Sequence, residues 1–463
     1  MKVALIQPPM ESDYPPLSIA SLAAYLAEKG HQPRLFDLQI PAQRATWQKD
    51  IADFGPRVVG VTAMTPTIVP AGSVGRTVRE ILPDATLVLG GYHVSFVPEH
   101  AMGRYTDFDV GVVGEGEVTL HELVETLDGG GDLEAVPGLV LRRDGELLTT
   151  PPRERIRDLD SLPWPHGHYD LDHYLWYGGY TGRWTFKCAS AIESRGCPFR
   201  CRFCASQRFW SKQFLLCSPE RVADELDWLA RHGARSVYFR DSTFNANKKW
   251  LRELCEAKAR HGNRMRWLCN SRVDTLNEEQ LEMMADVGLE ALYFGVESGS
   301  QRVLDYYNKG VTVDQVREAF ALCHKHHVAT AAFFMIGAPM ETRADIEESR
   351  RLAHELNAKY TYWFIYSPLP GAPLWDDFIE RGYEPDFDNF VFNRATIPVG
   401  DLSCAELEAT HKELVAEFKR TPTRGDVWRR RFEILRSVRS PRDLCHLGSK
   451  LLHRLRPGAA ADG

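Results

Sequence analysis

The chain has 463 residues, enough for two or three domains that each bury a core. Apolar residues make up 44% and charged residues 26%, as in ordinary globular proteins, and a net charge of −7 excludes a general affinity for nucleic acid. No apolar run reaches the roughly twenty residues of a membrane span, and the early prolines argue against a signal peptide. Ten cysteines in a chain of this length do not suggest a disulfide framework, so we expect a cytoplasmic protein.

The first 130 residues alternate short apolar strands with helical patterns. Strands are predicted at residues 3–6, 34–37, 58–62, 86–91 and 109–114, and the first helix at residues 17–30. Such alternation predicts a parallel sheet covered by helices on both faces, a doubly wound, Rossmann-like α/β domain. Ligands of such domains bind at the carboxyl ends of the strands.

Glycines and small polar residues follow three of these strands, in Thr62-Ala-Met-Thr-Pro, Gly90-Gly-Tyr-His-Val-Ser and Gly114-Glu-Gly-Glu. Glycine at these positions lets the backbone approach a large ligand, although ordinary tight turns explain each segment equally well. The segments contain neither G-x-G-x-x-G nor G-x-x-x-x-G-K-[ST], which argues against a dinucleotide or a nucleoside triphosphate.

Residues 131–187 are predicted to link two domains. They contain a hairpin at residues 138–148, a proline-rich stretch at residues 162–166 and seven aromatic residues between Tyr169 and Phe186. The aromatic stretch could line a ligand pocket or pack between the domains, and the sequence favours neither.

Residues 188–385 resume the alternation with six further strands. These are predicted at residues 189–193, 236–240, 266–270, 291–295, 330–335 and 362–366, separated by helical patterns. The pattern predicts a partial (β/α)6 barrel, with polar residues of its active-site rim at the strand ends.

A loop with three cysteines directly follows the first of these strands. Cys197, Cys201 and Cys204 have the spacing C-x-x-x-C-x-x-C. Three thiolates on one loop can bind three irons of a 4Fe–4S cluster and leave the fourth iron open to a small molecule. A zinc site is the alternative, but structural zinc sites generally use two pairs of ligands, and only the isolated Cys188 and Cys217 could supply a fourth ligand.

Residues 386–463 are predicted to form a helical C-terminal region that ends in a basic tail. From residue 421 onwards there are ten Lys and Arg against four Asp and Glu, a net charge of about +6. The segments 427–435 and 445–456 could be basic amphipathic helices that contact an acidic membrane surface or a partner protein. A solvated helical cap on the domain is the reading that we favour.

The cysteine loop and the later strand ends resemble the radical S-adenosylmethionine (SAM) superfamily. Gly295-Val-Glu-Ser-Gly-Ser is similar to its ribose- and amino-acid-binding segment, and Gly337-Ala-Pro-Met-Glu-Thr to its adenine-side segment. The usual Gly-Gly-Glu segment after the second strand is replaced by Asp241-Ser-Thr. The resemblance implies SAM contacts from Phe203, Asp241, Ser242, Arg272, Glu297, Ser298, Gly337 and Pro339.

The first half resembles the cobalamin-binding domain that is fused to one branch of this superfamily. The segments after the strands carry this resemblance, together with Pro15-Pro-Leu-Ser-Ile-Ala-Ser-Leu. It implies cobalamin contacts from Thr62, Met64, Thr65, Gly90, Gly91, His93, Ser95, Gly114, Glu115 and Gly116. The D-x-H-x-x-G motif that supplies a cobalt ligand in mutases is missing, and a lone histidine such as His93 is more often structural. The resemblance therefore implies cobalt with an open lower face.

Both resemblances imply an enzyme with a 4Fe–4S cluster, SAM and cobalamin. Such an enzyme reductively cleaves SAM to a 5′-deoxyadenosyl radical and methylates an unactivated sp³ carbon of a small molecule, such as a natural product or a lipid-like compound. Cyclisation or rearrangement without methyl transfer is the alternative. An electron donor such as flavodoxin or ferredoxin is implied as a partner.

Overall fold

The computed structural model describes residues 1–420 apart from residues 11, 13, 144, 178–186 and 211–212, and beyond residue 420 only positions 425, 428 and 432. The two predicted basic helices of the tail thus lie almost wholly outside the described residues. Among the helices of the described residues, none combines the length and the hydropathy that a membrane crossing requires.

The first sheet has seven strands. They are β1 (Lys2–Gln7), β2 (Gln32–Asp37), β3 (Val58–Thr62), β4 (Thr86–Gly90), β5 (Val110–Val112), β6 (Leu139–Arg143) and β7 (Glu146–Thr149). Their order is β2-β1-β3-β4-β5-β6-β7, with β1 to β5 parallel and β6 and β7 antiparallel. The doubly wound, Rossmann-like prediction is confirmed. The hairpin β6–β7 continues this sheet, so the first unit extends beyond residue 130.

Helices cover both faces of the first sheet. They are α1 (Leu17–Glu28), α2 (Pro41–Phe54), α3 (Ile68–Ile81), α4 (Tyr92–Phe96), α5 (Pro98–Arg104) and α6 (Gly116–Gly129), and α7 (Leu171–Tyr177) precedes the second unit. Separate clusters of buried apolar side chains lie on the two faces. The central strands are buried on both sides, which explains their continuous apolar runs.

The second sheet consists of six parallel strands. They are β8 (Cys188–Ala191), β11 (Ser236–Phe239), β12 (Arg266–Ser271), β13 (Leu289–Glu297), β14 (Ala329–Ile336) and β15 (Tyr360–Ile365), in the order β15-β14-β13-β12-β11-β8. A two-stranded ribbon of β9 (Ser194–Gly196) and β10 (Phe214–Leu216), which the sequence patterns did not predict, flanks the cysteine loop. The six predicted strands, and with them the partial barrel, are confirmed.

Helices connect these strands. They are α8 (Ser206–Phe209), α9 (Pro219–Arg231), α10 (Lys248–Arg260), α11 (Glu278–Asp286), α12 (Gln301–Tyr306), α13 (Val313–Lys325), α14 (Arg343–Leu356), α15 (Leu374–Glu380) and α16 (Cys404–Glu417). Several begin where a polar side chain accepts a hydrogen bond from the first turn: Ser218 for α9, Asn247 for α10 and Thr312 for α13. These caps fix where each helix leaves the rim of the sheet.

The alternation of side chains along the strands divides the second unit into an inner and an outer core. A large cluster packs the strands against the helices. A smaller cluster lies on the opposite face of the sheet, made of Cys188, Tyr238, Leu268, Ala291, Tyr293 and Ala331. Because successive side chains point to opposite faces, both cores are filled by the same strands.

Candidate active site

The predicted site residues of the second unit lie along one edge of its sheet. The cysteine loop comes after β8 and β9, Asp241 and Ser242 follow β11, and Arg272 follows β12. Glu297 ends β13, and Gly337 follows β14. Because all six strands are parallel, these positions share the carboxyl edge, where ligands of such barrels bind.

The three cysteines lie in a partly enclosed place beside a buried cation. Cys201 is buried, and the Nη1 atom of Arg272 lies 3.4 Å from its Sγ atom. The Sγ atom of Cys197 lies 3.7 Å from the Thr243 hydroxyl. Burial raises the pKa of Cys201 and raises that of Cys204 to about 11. Three thiolates on one loop, one buried and two partly buried, need strong positive charge, which the irons of a cluster would supply, so the donor set fits a 4Fe–4S cluster.

The spacing of the sulfur atoms argues against a single zinc ion. Thiolates around one zinc ion lie about 3.8 Å apart, given Zn–S bonds of about 2.3 Å in a tetrahedron. A set of His, Cys, Asp or Glu side chains can hold one ion when their ligand atoms all lie within 4.8 Å of one another. Among the described residues, the cysteine triad is not such a set. Cys188 and Cys217, the alternative ligands, are buried in two different core clusters. As placed, the three sulfur atoms do not surround a single tetrahedral ion.

Glu297 occupies a strained backbone position at the rim. Its φ angle is +66°, in the left-handed region that residues other than glycine rarely adopt. Its Oε1 atom accepts a hydrogen bond of 2.7 Å from the Nζ atom of Lys309, and both side chains are largely buried. Lys309 also lies over the ring of Phe203, at 5.7 Å from its centre. The sequence patterns did not single out Lys309, because its partners are distant in sequence.

The other SAM-site candidates divide into exposed and buried groups. Ser242 is exposed at the rim, whereas Ser298 is fully buried, with its hydroxyl 3.0 Å from that of Ser349. Gly337 has a φ angle of +99°, and its N–H donates to Glu341. The Pro339 carbonyl accepts a hydrogen bond from Arg381. Ser298 therefore supports the loop rather than offering its hydroxyl to a ligand.

A cavity of about 410 Å³ opens between the two sheets. From the first unit it is lined by seven of the predicted cobalamin contacts: Thr62, Met64, Gly90, Gly91, Gly114, Glu115 and Gly116. From the second unit, the lining includes Asp241 and Ser242. A Cβ atom on Gly91 would lie 2.5 Å from the Ala63 carbonyl oxygen, so only glycine fits this turn. Leu5, Val88 and Leu120 extend the cavity into the first unit as an apolar crevice, which fits a large ligand with apolar and amide parts.

Three predicted cobalamin contacts are absent from the lining of this cavity. The His93 side chain is fully buried, with Nδ1 3.1 Å from the Thr65 hydroxyl and Nε2 3.0 Å from Nδ1 of His100. Burial lowers the pKa of His93 to about 4, so the ring is neutral. The Ser95 hydroxyl bonds to the Gly91 carbonyl and the Gly114 N–H. These side chains shape the turns, and both ring nitrogens of His93 already have protein partners.

Buried ion pairs connect the first unit to the cysteine loop. Arg195, two residues before Cys197, contacts Glu115 through Nη1 and Glu117 through Nη2, the latter at 2.5 Å. The second oxygen of Glu115 accepts a hydrogen bond of 3.0 Å from the Ile156 N–H. The Gly-Glu-Gly-Glu segment thus binds the neighbouring unit as well as lining the cavity, which the sequence alone did not indicate.

The aromatic residues of the linker pack between the units in the part that is described. Tyr174 donates a hydrogen bond of 2.5 Å to Asp37 of the first sheet, and Trp176 is buried. Among the aromatic residues described between positions 169 and 177, none lines the cavity. Interdomain packing accounts for this portion of the stretch.

Comparisons with known proteins agree with this geometry. Residues 192–353 match the Radical SAM superfamily, and residues 9–124 match the B12 binding domain. An uncharacterized methyltransferase of Pyrococcus horikoshii is 35% identical over 81% of this chain and 83% of its own length. The anaerobic magnesium-protoporphyrin IX monomethyl ester cyclase of Rubrivivax gelatinosus is 29% identical over 85% of this chain and 72% of its own length.

The fold also matches that of a solved enzyme. The radical S-adenosylmethionine methyltransferase TsrM from Kitasatospora setae, solved with cobalamin and a 4Fe–4S cluster bound, superposes with a TM-score of 0.71 at 21% identity, over 82% of this chain and 78% of that one. The protein belongs to the family of cobalamin-dependent radical SAM enzymes, which use a 4Fe–4S cluster, SAM and cobalamin.

Proposed function

We propose that this enzyme transfers a methyl group to an unactivated sp³ carbon of a small molecule. The observation that carries the proposal is that one and the same cavity is lined both by the glycine turns of the first sheet and by the rim of the second. When bound, the cluster supplies an electron for reductive cleavage of SAM, and cobalamin supplies a methyl group. The protein's own residues orient these groups and exclude water.

The proposed cluster ligands are Cys197, Cys201 and Cys204. SAM is proposed to contact Phe203, Asp241, Ser242, Arg272, Glu297, Gly337 and Pro339, with Ser298 supporting the loop. Cobalamin is proposed to contact Thr62, Met64, Gly90, Gly91, Gly114, Glu115 and Gly116, with Thr65, His93 and Ser95 as supports. The engaged ring nitrogens of His93 favour cobalt without a histidine ligand. A small electron-transfer protein, such as flavodoxin or ferredoxin, is the proposed reductant.

Cyclisation or rearrangement is the second candidate, favoured by the similarity to the Rubrivivax cyclase. The two reactions differ in the fate of SAM. Methyl transfer leaves S-adenosylhomocysteine from the methyl donor and 5′-deoxyadenosine from the hydrogen abstraction. A rearrangement leaves no S-adenosylhomocysteine.

The test is to incubate the reduced enzyme anaerobically with SAM and a small-molecule extract of the source cells. We expect 5′-deoxyadenosine and S-adenosylhomocysteine to rise together when the extract is added. Extract-dependent 5′-deoxyadenosine alone would favour the cyclase instead. The Cys201→Ala variant is the control for SAM breakdown that does not depend on the cluster.

A further inference from the structure

The wall of the cavity contains a buried acid that the proposed function does not use. Glu193 follows β8, is only 1% exposed and lines the cavity. Its backbone is satisfied, because its N–H donates to Asp241 Oδ1 at 3.0 Å and its carbonyl accepts from the Cys217 N–H at 2.8 Å. Neither carboxyl oxygen of Glu193 has a hydrogen-bond partner among the described residues. Only the side chain lacks partners.

The neighbours of Glu193 do not supply what it lacks. The Glu225 carboxylate is engaged by His166 at 2.5 Å. The Arg221 guanidinium and the Cys217 thiol lie near Glu193 and act to lower its pKa, but neither forms a hydrogen bond with its carboxyl oxygens in the structure. Four further polar atoms on residues of the cavity wall also have no hydrogen-bond partner among the described residues: Nε1 of Trp164, Nε of Arg221, Nη1 of Arg240 and Oδ2 of Asp241. Burial and the neighbouring carboxylates raise the pKa of Glu193 well above its ordinary value, which favours the neutral acid.

An unsatisfied buried carboxyl group is costly, and native proteins rarely retain one without a role. A neutral carboxylic acid presents one O–H donor and one carbonyl acceptor side by side. This arrangement complements a primary amide, which presents an N–H donor and a carbonyl acceptor in the same way. In the same cavity wall, Trp164, Arg221 and Arg240 add donors and Asp241 adds an acceptor.

We propose that Glu193, together with Asp241 and Trp164, forms a subsite that binds a primary amide of a ligand in the cavity. This subsite rests on the proposed function, because it requires the cavity to be the place where cobalamin and the substrate bind. Two ligands could carry the amide: the corrin ring of cobalamin, which has amide side chains around its rim, or the substrate.

The experiment compares Glu193→Leu and Glu193→Gln in the full-length enzyme, purified anaerobically. For an amide on cobalamin, we expect Glu193→Leu to weaken hydroxocobalamin binding about tenfold, the equivalent of two lost hydrogen bonds. Glutamine retains a donor beside an acceptor, so Glu193→Gln should bind nearly as well as the wild type. Equilibrium dialysis gives the affinity, and iron content confirms that the cluster site is intact.

Thermal unfolding separates a ligand role from a structural one. Asp37, a buried acid outside the cavity, accepts hydrogen bonds from Tyr174 and Gln39. Asp37→Leu should therefore lower the Tm of the protein. Glu193→Leu removes an unsatisfied polar group, so the Tm without added cobalamin should be unchanged or higher.

If the amide belongs to the substrate, Glu193→Leu binds cobalamin normally but loses methyl transfer from SAM to the cell extract, and Glu193→Gln retains it. The proposal is overturned if Glu193→Leu binds cobalamin as tightly as the wild type and shows no loss of methyl transfer that Glu193→Gln avoids. A Tm that falls as in Asp37→Leu also overturns it. If the wild type transfers no methyl group, the proposed function fails, but weaker cobalamin binding by Glu193→Leu still supports the subsite.

Discussion

At the scale of single residues, two buried cations accompany the cysteines. Arg272 reaches Cys201, and Lys309 pairs with Glu297; both cations are about 95% buried. The resemblance of the segment after β12 to the radical SAM superfamily predicted Arg272 as a SAM contact. It could not predict Lys309, since only the folded rim brings that lysine beside Glu297. Positive charge near a cluster favours its reduced, more negative state.

The Lys309→Met variant should shift the reduction potential of the cluster to more negative values. With an effective dielectric constant of about 20, the loss of one positive charge near the cluster should shift its reduction potential by roughly tens of millivolts. Lys309→Arg, which keeps the charge, should shift it less. Potentiometric titration monitored by electron paramagnetic resonance measures both. A potential that stays constant or rises in Lys309→Met contradicts the role assigned to this charge.

Glu341 predicts a pH dependence of stability. Its Oε2 atom accepts hydrogen bonds from the N–H groups of Gly337 and Ala338, and burial raises its pKa from 4.5 to about 8. The folded state binds the proton of Glu341 more tightly than the unfolded state does, so the protonated carboxyl group stabilises the fold. This stabilisation is complete below about pH 4.5 and is lost as the pH rises through about 8.

Between pH 6 and 8, the wild type should lose up to about 1.4 kcal/mol of unfolding free energy per pH unit relative to Glu341→Gln. Glutamine keeps an acceptor for the two N–H groups but does not titrate. Denaturant unfolding of both proteins at several pH values measures the difference. Parallel pH profiles would show that Glu341 does not titrate in this range.

At the scale of elements, both sides of the cysteine loop pack against the first unit. On one side, Arg195 in β9 pairs with Glu115 and Glu117. On the other side, Phe209 at the end of α8 lies 4.4 Å from the ring of Tyr92 in α4. The partners belong to the Gly114 and Gly90 turns, whose glycines the sequence predicted as ligand contacts. These turns therefore fix the position of the loop relative to the first sheet.

Arg195→Gln should destabilise the protein by about 3–5 kcal/mol, because it leaves the buried Glu117 without its cation and Glu115 with only Arg155, at 3.8 Å. Arg195→Lys should lose less, since it retains the charge. Arg57→Gln is the matched control, because the Arg57–Asp128 pair is exposed on both sides. Denaturant unfolding measures all three variants. Equal losses for Arg195→Gln and Arg57→Gln would mean that the buried pairs do not hold the units together.

At the scale of the whole molecule, local patterns predicted both sheets, because buried parallel strands form short apolar runs between amphipathic helices. They did not predict that the hairpin β6–β7 joins the first sheet, since pairing with β5 is a non-local choice. The strand ends predicted where in the fold the site residues lie. They could not predict which side chains these residues contact. His93, for example, is hydrogen-bonded to Thr65 and His100, and sequence spacing does not specify these contacts.

The central claim is that the cavity between the sheets supports methyl transfer. The most direct measurement uses SAM with a deuterated methyl group, the reduced enzyme and the cell extract, followed by mass spectrometry. The account predicts a product that has gained one intact CD3 group, formed together with unlabelled 5′-deoxyadenosine and absent with Cys201→Ala. A new product that carries no deuterium, formed along with 5′-deoxyadenosine, would contradict methyl transfer and point to cyclisation or rearrangement.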